Sequence, residues 1–61
     1  MAHKAKILVV DDDKNSLSGL LRFLQQEGYE ASGAISAYEA LALMDNQSFD
    51  IVLTDMKMPR L

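Results

Sequence analysis

Short aliphatic runs alternate along this chain with segments whose apolar residues have helical spacing, and this alternation constrains the fold most strongly. Lys6–Val10 has the sequence KILVV, and Phe49–Asp55 has the sequence FDIVLTD with a continuously apolar centre at Ile51–Leu53. Such runs are typical of strands buried on both faces of a sheet. Tyr29–Ala34 predicts a weaker strand between them.

A first helix is predicted between the first two strands. Leucines at i, i+3, i+4 and i+7 form its apolar stripe: Leu17, Leu20, Leu21 and Leu24. Asp13 or Asn15 can cap its start, because both side chains accept hydrogen bonds from free backbone N–H groups. Gly28 stands where a left-handed residue commonly ends a helix.

A second helix is predicted between the second and third strands. Ser36 and Glu39 have the spacing of a capping box at its start. Its inward face is expected to consist of four apolar residues: Ala37, Ala40, Leu41 and Met44. The polar residues of 46–48 are expected to end it.

The predicted order is therefore strand, helix, strand, helix, strand. Single helices between strands imply right-handed crossovers and a parallel sheet, so we predict an α/β fold. Ligands of such sheets bind beyond the carboxyl ends of the strands. Asp11–Asp13 and Asp55 both stand at the carboxyl ends of predicted strands, which makes this end of the sheet the candidate site.

The chemistry of these carboxylates favours a cation. If the first and third strands are neighbours, their ends lie roughly 4.8 Å apart, and Asp11, Asp12 and Asp55 face one crevice. Carboxylates held so close either share protons or bind a cation. An all-oxygen ligand set favours a hard ion, and Mg²⁺ suits a few carboxylates with water or phosphate in the other positions. The alternative is that the aspartates only cap a helix, which is our interpretation of Asp13.

Two other ligand motifs are excluded. Asp11, Asp13 and Asn15 match the first three ligand positions of a calcium EF-hand loop, but Ser16 stands where glycine is needed and Arg22 where a bidentate glutamate is needed. A glycine-rich phosphate loop is also absent, because none of the three glycines follows the first strand.

Size and composition limit the class of function. At 61 residues the chain is at most one small domain, and the lack of cysteine excludes disulfides and favours an intracellular compartment. A net charge of −3 argues against binding to nucleic acid, which requires a basic face. Ile7–Val10 is too short for a signal peptide or a membrane span, so we expect a cytoplasmic protein that does not bind membranes.

The motifs together resemble the N-terminal half of a response-regulator receiver domain. The resemblance rests on KILVVDDD, the leucine-striped helix, YEASGAISAYEALALM and FDIVLTDMKMP, and it covers Lys6–Leu61. The resemblance is strongest to the receiver domains of NtrC-type transcriptional regulators. It implies half of a flavodoxin-like, doubly wound parallel sheet, so that residues 1–61 would form a truncated receiver of three strands and two helices.

The resemblance also implies the role of each site residue. Asp55 would be the phosphoacceptor, which takes a phosphoryl group from a sensor histidine kinase. Asp12 would bind Mg²⁺ directly and Asp11 largely through water, with Asp55 and the backbone carbonyl of Lys57 as further ligands. A bound Mg²⁺ offsets the negative charge of the carboxylate and the phosphoryl group. Such a module is a signalling component and not an enzyme.

The sequence also departs from the family pattern. The later strands of receivers supply a hydroxyl and a lysine that contact the phosphoryl oxygens, and this sequence has neither. Lys14 and Lys57 do not occupy the family's lysine position. We therefore predict that phosphorylation and switching are impaired in this chain alone.

Two alternatives stay open. Asp11 and Asp13 match the DxD pattern of haloacid-dehalogenase-like phosphatases, although Asn15 stands where Thr or Val is expected and DMKMP is left unexplained. The other is a self-associating half-domain whose acids have no activity. Ile51–Leu53 would then form an uncovered apolar edge, which is a template for pairing with another chain. We accordingly predict a homodimer joined through the third strand.

Overall fold

The computed structural model describes residues 4–54, which form three strands and two helices in the predicted order. The elements are β1 (Lys6–Val10), α1 (Lys14–Gln26), β2 (Glu30–Ala34), α2 (Ala37–Asn46) and β3 (Ile51–Thr54). The first strand has its predicted bounds, whereas β3 begins two residues later than predicted. Asp55, the predicted last residue of that strand, lies outside the described residues.

The three strands form one parallel sheet with the order β2-β1-β3. β1 pairs with β2 from Lys6–Glu30 to Val10–Ala34. On its other side, β1 pairs with β3 from Ile7–Ile51 to Val10–Thr54. The predicted α/β fold is confirmed, and the condition on which the candidate acidic site depends, that the first and third strands are neighbours, is met.

β1 separates two apolar cores, because successive side chains of a strand point to opposite faces. The core beneath α1 contains two residues of β1 and two leucines: Ile7, Val9, Leu17 and Leu24. The core beneath α2 contains the other two apolar residues of β1 and two alanines: Leu8, Val10, Ala34 and Ala40. The two helices therefore cover opposite faces of the sheet, as in a doubly wound fold.

The ends of α1 follow the predicted signals. Asp13 is the N-cap, because its carboxylate accepts the Asn15 N–H at 3.0 Å and the Ser16 hydroxyl at 3.2 Å. Gly28 has a φ of 95°, in the left-handed region. The N–H groups of Gly28 and Tyr29 donate to carbonyls in the last turn of α1, at 3.1 and 3.0 Å, which is the Schellman pattern of helix termination.

The start of α2 is confirmed, and its inward face is partly wrong. The Ser36 hydroxyl accepts the Glu39 N–H at 3.1 Å, and the Glu39 carboxylate accepts the Ile35 N–H at 3.0 Å. Leu41 and Met44 were expected to face inward, but both are exposed. The helix instead lies on the sheet through Ala40 and, three residues later, a partly buried Leu43. Within residues 4–54, neither helix is long and apolar enough to cross a membrane.

Candidate functional site

Asp11 is fixed at the carboxyl end of the central strand. Its backbone N–H donates to the Ala34 carbonyl at 3.0 Å, which extends the pairing with β2 one residue beyond β1. One oxygen of its carboxylate accepts the Asp13 N–H at 2.9 Å, and the residue is only 5% exposed. The carboxylate is therefore oriented by the backbone that leads into α1.

Asp12 differs from Asp11 in its surroundings. It is exposed, and its carboxylate makes no hydrogen bond to the other described residues. Its oxygens are thus free of protein donors within residues 4–54 and open to solvent. Asp13 is used as the cap of α1, as predicted. The three consecutive aspartates therefore comprise one oriented carboxylate, one accessible carboxylate and one structural cap.

β3 leads the chain to the same end of the sheet. Thr54, its last residue, is paired with Val10, the residue before Asp11. Asp55 follows Thr54 in sequence. Asp55 and Lys57, the other two predicted site residues, lie outside the described residues.

The donor chemistry of the described residues fits part of a hard-cation site. Within residues 4–54, no group of three or more His, Cys, Asp or Glu side chains is placed to hold a metal ion. Asp11 and Asp12 nevertheless supply carboxylate oxygens, which Mg²⁺ prefers, at the sheet end where α/β proteins bind ligands. The described residues enclose no cavity.

One contact that bears on this geometry was not predicted from the sequence. The Asp50 carboxylate accepts the backbone N–H of Lys6 at 2.8 Å, and the Asp50 N–H donates to the Lys6 carbonyl at 2.8 Å. The Lys6 ammonium lies 5.8 Å from the centroid of the Phe49 ring. The sequence feature that could have indicated this contact is Asp50 itself, an acidic residue directly before the apolar run of β3.

The fold and the acidic strand ends define the class of protein, and comparison with known families agrees. The model of the response regulator receiver domain family matches residues 7–61, and the chain belongs to that family. Receiver domains are the phosphoacceptor modules of two-component response regulators, so the general function class predicted from the sequence is confirmed.

Relatives with named functions include regulators and a sensor. The chain is 44% identical over 55 residues to the transcriptional regulatory protein CpxR of Klebsiella pneumoniae, covering 90% of this chain and 23% of CpxR. It is 45% identical over 56 residues to the response regulator MprA of a Mycobacterium species, covering 92% of this chain and 24% of MprA. It is 40% identical over 57 residues to the CAI-1 autoinducer sensor kinase/phosphatase CqsS of Vibrio cholerae, covering 93% of this chain and 8% of CqsS.

The chain thus spans about a quarter of the length of these two regulators and a smaller share of the sensor kinase. No solved structure matches it.

Proposed function

We propose that this chain accepts a phosphoryl group on Asp55 from the phosphohistidine of a sensor histidine kinase. In this proposal Asp11, Asp12, Asp55 and the backbone carbonyl of Lys57 bind Mg²⁺. The observation that carries it is the buried, oriented Asp11 carboxylate, which directly follows β1, the strand that pairs with β3. That pairing runs to Thr54, the residue before Asp55 in sequence, which supports the proposal that both acids belong to one site.

The proposed reaction is a direct transfer. A carboxylate oxygen of Asp55 forms a bond to phosphorus while the phosphorus–nitrogen bond of the phosphohistidine breaks. The electron pair of the broken bond stays on the imidazole nitrogen, which then takes a proton from water. Mg²⁺, when bound, offsets the negative charge gathered on the reacting oxygens. The Asp13 N–H holds the Asp11 carboxylate in place before any ligand arrives.

This role is stoichiometric, so we propose that the chain is not an enzyme. The test is incubation with Mg²⁺ and acetyl phosphate, a small phosphodonor, or with a phosphorylated kinase, followed by mass spectrometry. We expect one added phosphoryl group at low yield, and we expect Asp55→Asn to abolish it. Asp45→Asn is the matched control, because Asp45 is an exposed residue of α2 and the change in charge is the same.

The same experiment separates the alternatives. A phosphoryl group trapped on Asp11, lost in Asp11→Asn and kept in Asp55→Asn, would favour the phosphatase-like reading. No phosphorylation of any residue, together with no binding of Mg²⁺, would favour the purely structural half-domain.

We also propose that the parent protein is a transcriptional regulator of the NtrC type that acts in the cytoplasm. The sequence motifs support the subtype, and CpxR is a relative described as a transcriptional regulatory protein. Because the chain carries a net charge of −3, we expect it not to bind DNA by itself, which a gel-shift assay checks. Fractionation of cells that produce the chain checks the compartment.

We further propose that two copies associate through β3. Neither α1 nor α2 lies against this strand, and Ile51, Val52 and Leu53 are 43%, 43% and 39% exposed. Within residues 4–54 no strand pairs with the outer edge of β3. A second copy related by a two-fold axis would pair the same strand with itself, which is a self-complementary contact. The solution mass of the protein tests this proposal.

A further inference from the structure

Asp50 is joined to the start of β1 by two hydrogen bonds. Its backbone N–H donates to the Lys6 carbonyl, and its carboxylate accepts the Lys6 N–H, each at 2.8 Å. These bonds stand one residue before Ile7–Ile51, the first pair in the register of β1 and β3. The Asp50 side chain therefore adds a second hydrogen bond to the backbone one, directly before the first residue of β3.

The burial of β3 gives its register little support. Register is specified strongly where one face of a strand is buried, because a slip of one residue turns the whole apolar set to the other face. β3 is four residues long, both of its faces are partly exposed, and neither helix lies against it. The apolar pattern of Ile51–Leu53 thus discriminates weakly between registers, since its consecutive side chains are all apolar. The hydrogen bond from the Lys6 N–H to the Asp50 carboxylate discriminates strongly between registers, because a slip of one residue breaks it.

The register of β3 decides which residue of that strand pairs with Val10, the residue before Asp11. A slip of one residue would move every residue of the strand by about 3.3 Å and exchange the two faces. Thr54, the residue before Asp55, would shift against Val10 by a similar amount, whereas metal–ligand distances vary by only about 0.2 Å.

We propose that Asp50 is a positioning residue of the candidate site. Its carboxylate, bonded to the Lys6 N–H, sets the register of β3 against β1 and so sets where Asp55 meets Asp11 and Asp12. The inference rests on the proposed function, because it assumes that these three acids bind one Mg²⁺ ion. Asp50 itself stands at the opposite end of β3 from the site and touches neither metal nor phosphoryl group.

The test is calorimetric titration of the full chain with Mg²⁺ alone. We expect Asp50→Ala to weaken binding by about 10-fold or more, as is typical when a residue that orients metal ligands is removed. We expect Asp50→Asn to bind like the unchanged chain, because the amide oxygen still accepts the Lys6 N–H. Asp45→Ala is the matched control, since it removes the same charge from an exposed position on α2.

The outcomes are distinguishable. Binding by Asp50→Ala that equals binding by Asp45→Ala overturns the positioning role and leaves the proposed function intact. Loss of binding in Asp50→Asn as large as in Asp50→Ala also overturns it, because the charge and not the hydrogen bond would then matter. No binding by the unchanged chain overturns the proposed function and this inference with it.

A folding defect is separated from a register effect in two ways. If Asp50→Ala is unfolded in buffer, all four proteins are titrated in trimethylamine N-oxide, which favours the compact state. Nuclear Overhauser contacts between Ile7 and Ile51 report the register directly. Their retention in a folded Asp50→Ala chain contradicts the proposal, whereas their loss or exchange for contacts with a neighbouring residue supports it.

Discussion

Asp11, Asp12 and Asp13 are adjacent in sequence but differ in burial and in hydrogen bonding. The Asp11 carboxylate is buried and held by one backbone N–H, whereas Asp12 is exposed. Asp13 uses both of its oxygens to cap α1. Holding one carboxylate in place before a cation arrives lowers the conformational entropy lost on binding, because fewer side-chain rotamers must be fixed.

Gly28 is the residue whose backbone conformation most restricts substitution. Its φ of 95° lies in a region that residues with a Cβ atom rarely adopt. We expect Gly28→Ala to lower the free energy of unfolding by about 1–2 kcal/mol. Urea denaturation followed by circular dichroism measures this change.

Gly19 is the matched control for Gly28. It lies within α1, and a Cβ atom built on it would meet no atom within 4 Å. We expect Gly19→Ala to raise the free energy of unfolding by about 0.5–1 kcal/mol, because alanine loses less backbone entropy in a helix. Equal effects of the two substitutions would contradict the conformational role of Gly28.

At the scale of elements, α1 packs closely on the sheet at Gly33 of β2. A Cβ atom on Gly33 would lie 2.8 Å from a methyl carbon of Leu21 and 3.0 and 3.1 Å from the two methyl carbons of Leu17. β2 reads EASGA, which is weak as a strand sequence, and this contact explains the glycine. The small residue lets the leucine stripe of α1 lie directly on the strand.

We expect Gly33→Ala to destabilise the protein by about 1–3 kcal/mol, because an added methyl group overpacks this contact. Leu21→Ala opens space at the same point, so the double variant is expected to lose less than the sum of the two single losses. Urea denaturation of the four proteins in the cycle provides the measurement. Strict additivity would show that the methyl group and Leu21 do not compete for the same volume.

The ends of the helices were predicted from local sequence, because helix caps and turns depend on residues that are neighbours in the chain. The Asp13 and Ser36 caps and the left-handed Gly28 belong to this group. The inward face of α2 was partly wrong, because the rotation of a helix on a sheet depends on tertiary packing. The Lys6–Asp50 contact was missed for a related reason, since its partners are 44 residues apart.

For the site, the sequence predicted that acidic residues follow the carboxyl ends of the first and third strands, and the structure pairs these two strands directly. The roles of Asp11 and Asp12 as metal ligands, and of Asp55 and Lys57, stay predictions. The cap formed by Asp13 was predicted from neighbouring residues, whereas the burial of Asp11 was not, since Asp11 is bonded to Ala34 in β2, which is distant in sequence.

At the scale of the whole molecule, the described chain is unevenly covered. Both helices lie over β1 and β2, while β3 is apolar and partly exposed on both faces. An apolar edge strand without charged residues favours pairing with another chain. The uneven cover is thus the physical basis of the proposed homodimer.

We expect light scattering to give the mass of a dimer at high protein concentration, with or without Mg²⁺ and beryllofluoride, a mimic of the phosphoryl group. Val52→Lys is expected to shift the protein to monomer, because it places a charge on β3. Tyr38→Lys is the control, since Tyr38 is an apolar residue of α2 that is 86% exposed. A monomer at all concentrations, or equal dimerisation of both variants, would contradict association through β3.

The order of the sheet has a consequence for the growing chain on the ribosome. β1 is synthesised first but lies in the middle, so both of its neighbours arrive later, and β3 arrives last of the described elements. β1, α1 and β2 can already pair when residue 34 has emerged, because they are contiguous. A nascent chain at that stage would expose one edge of β1 to other chains and to chaperones. The end of the sheet at which we propose the phosphoacceptor site therefore gains its β1–β3 pairing only when β3 arrives, and a chain stalled before β3 would fold in part without that pairing.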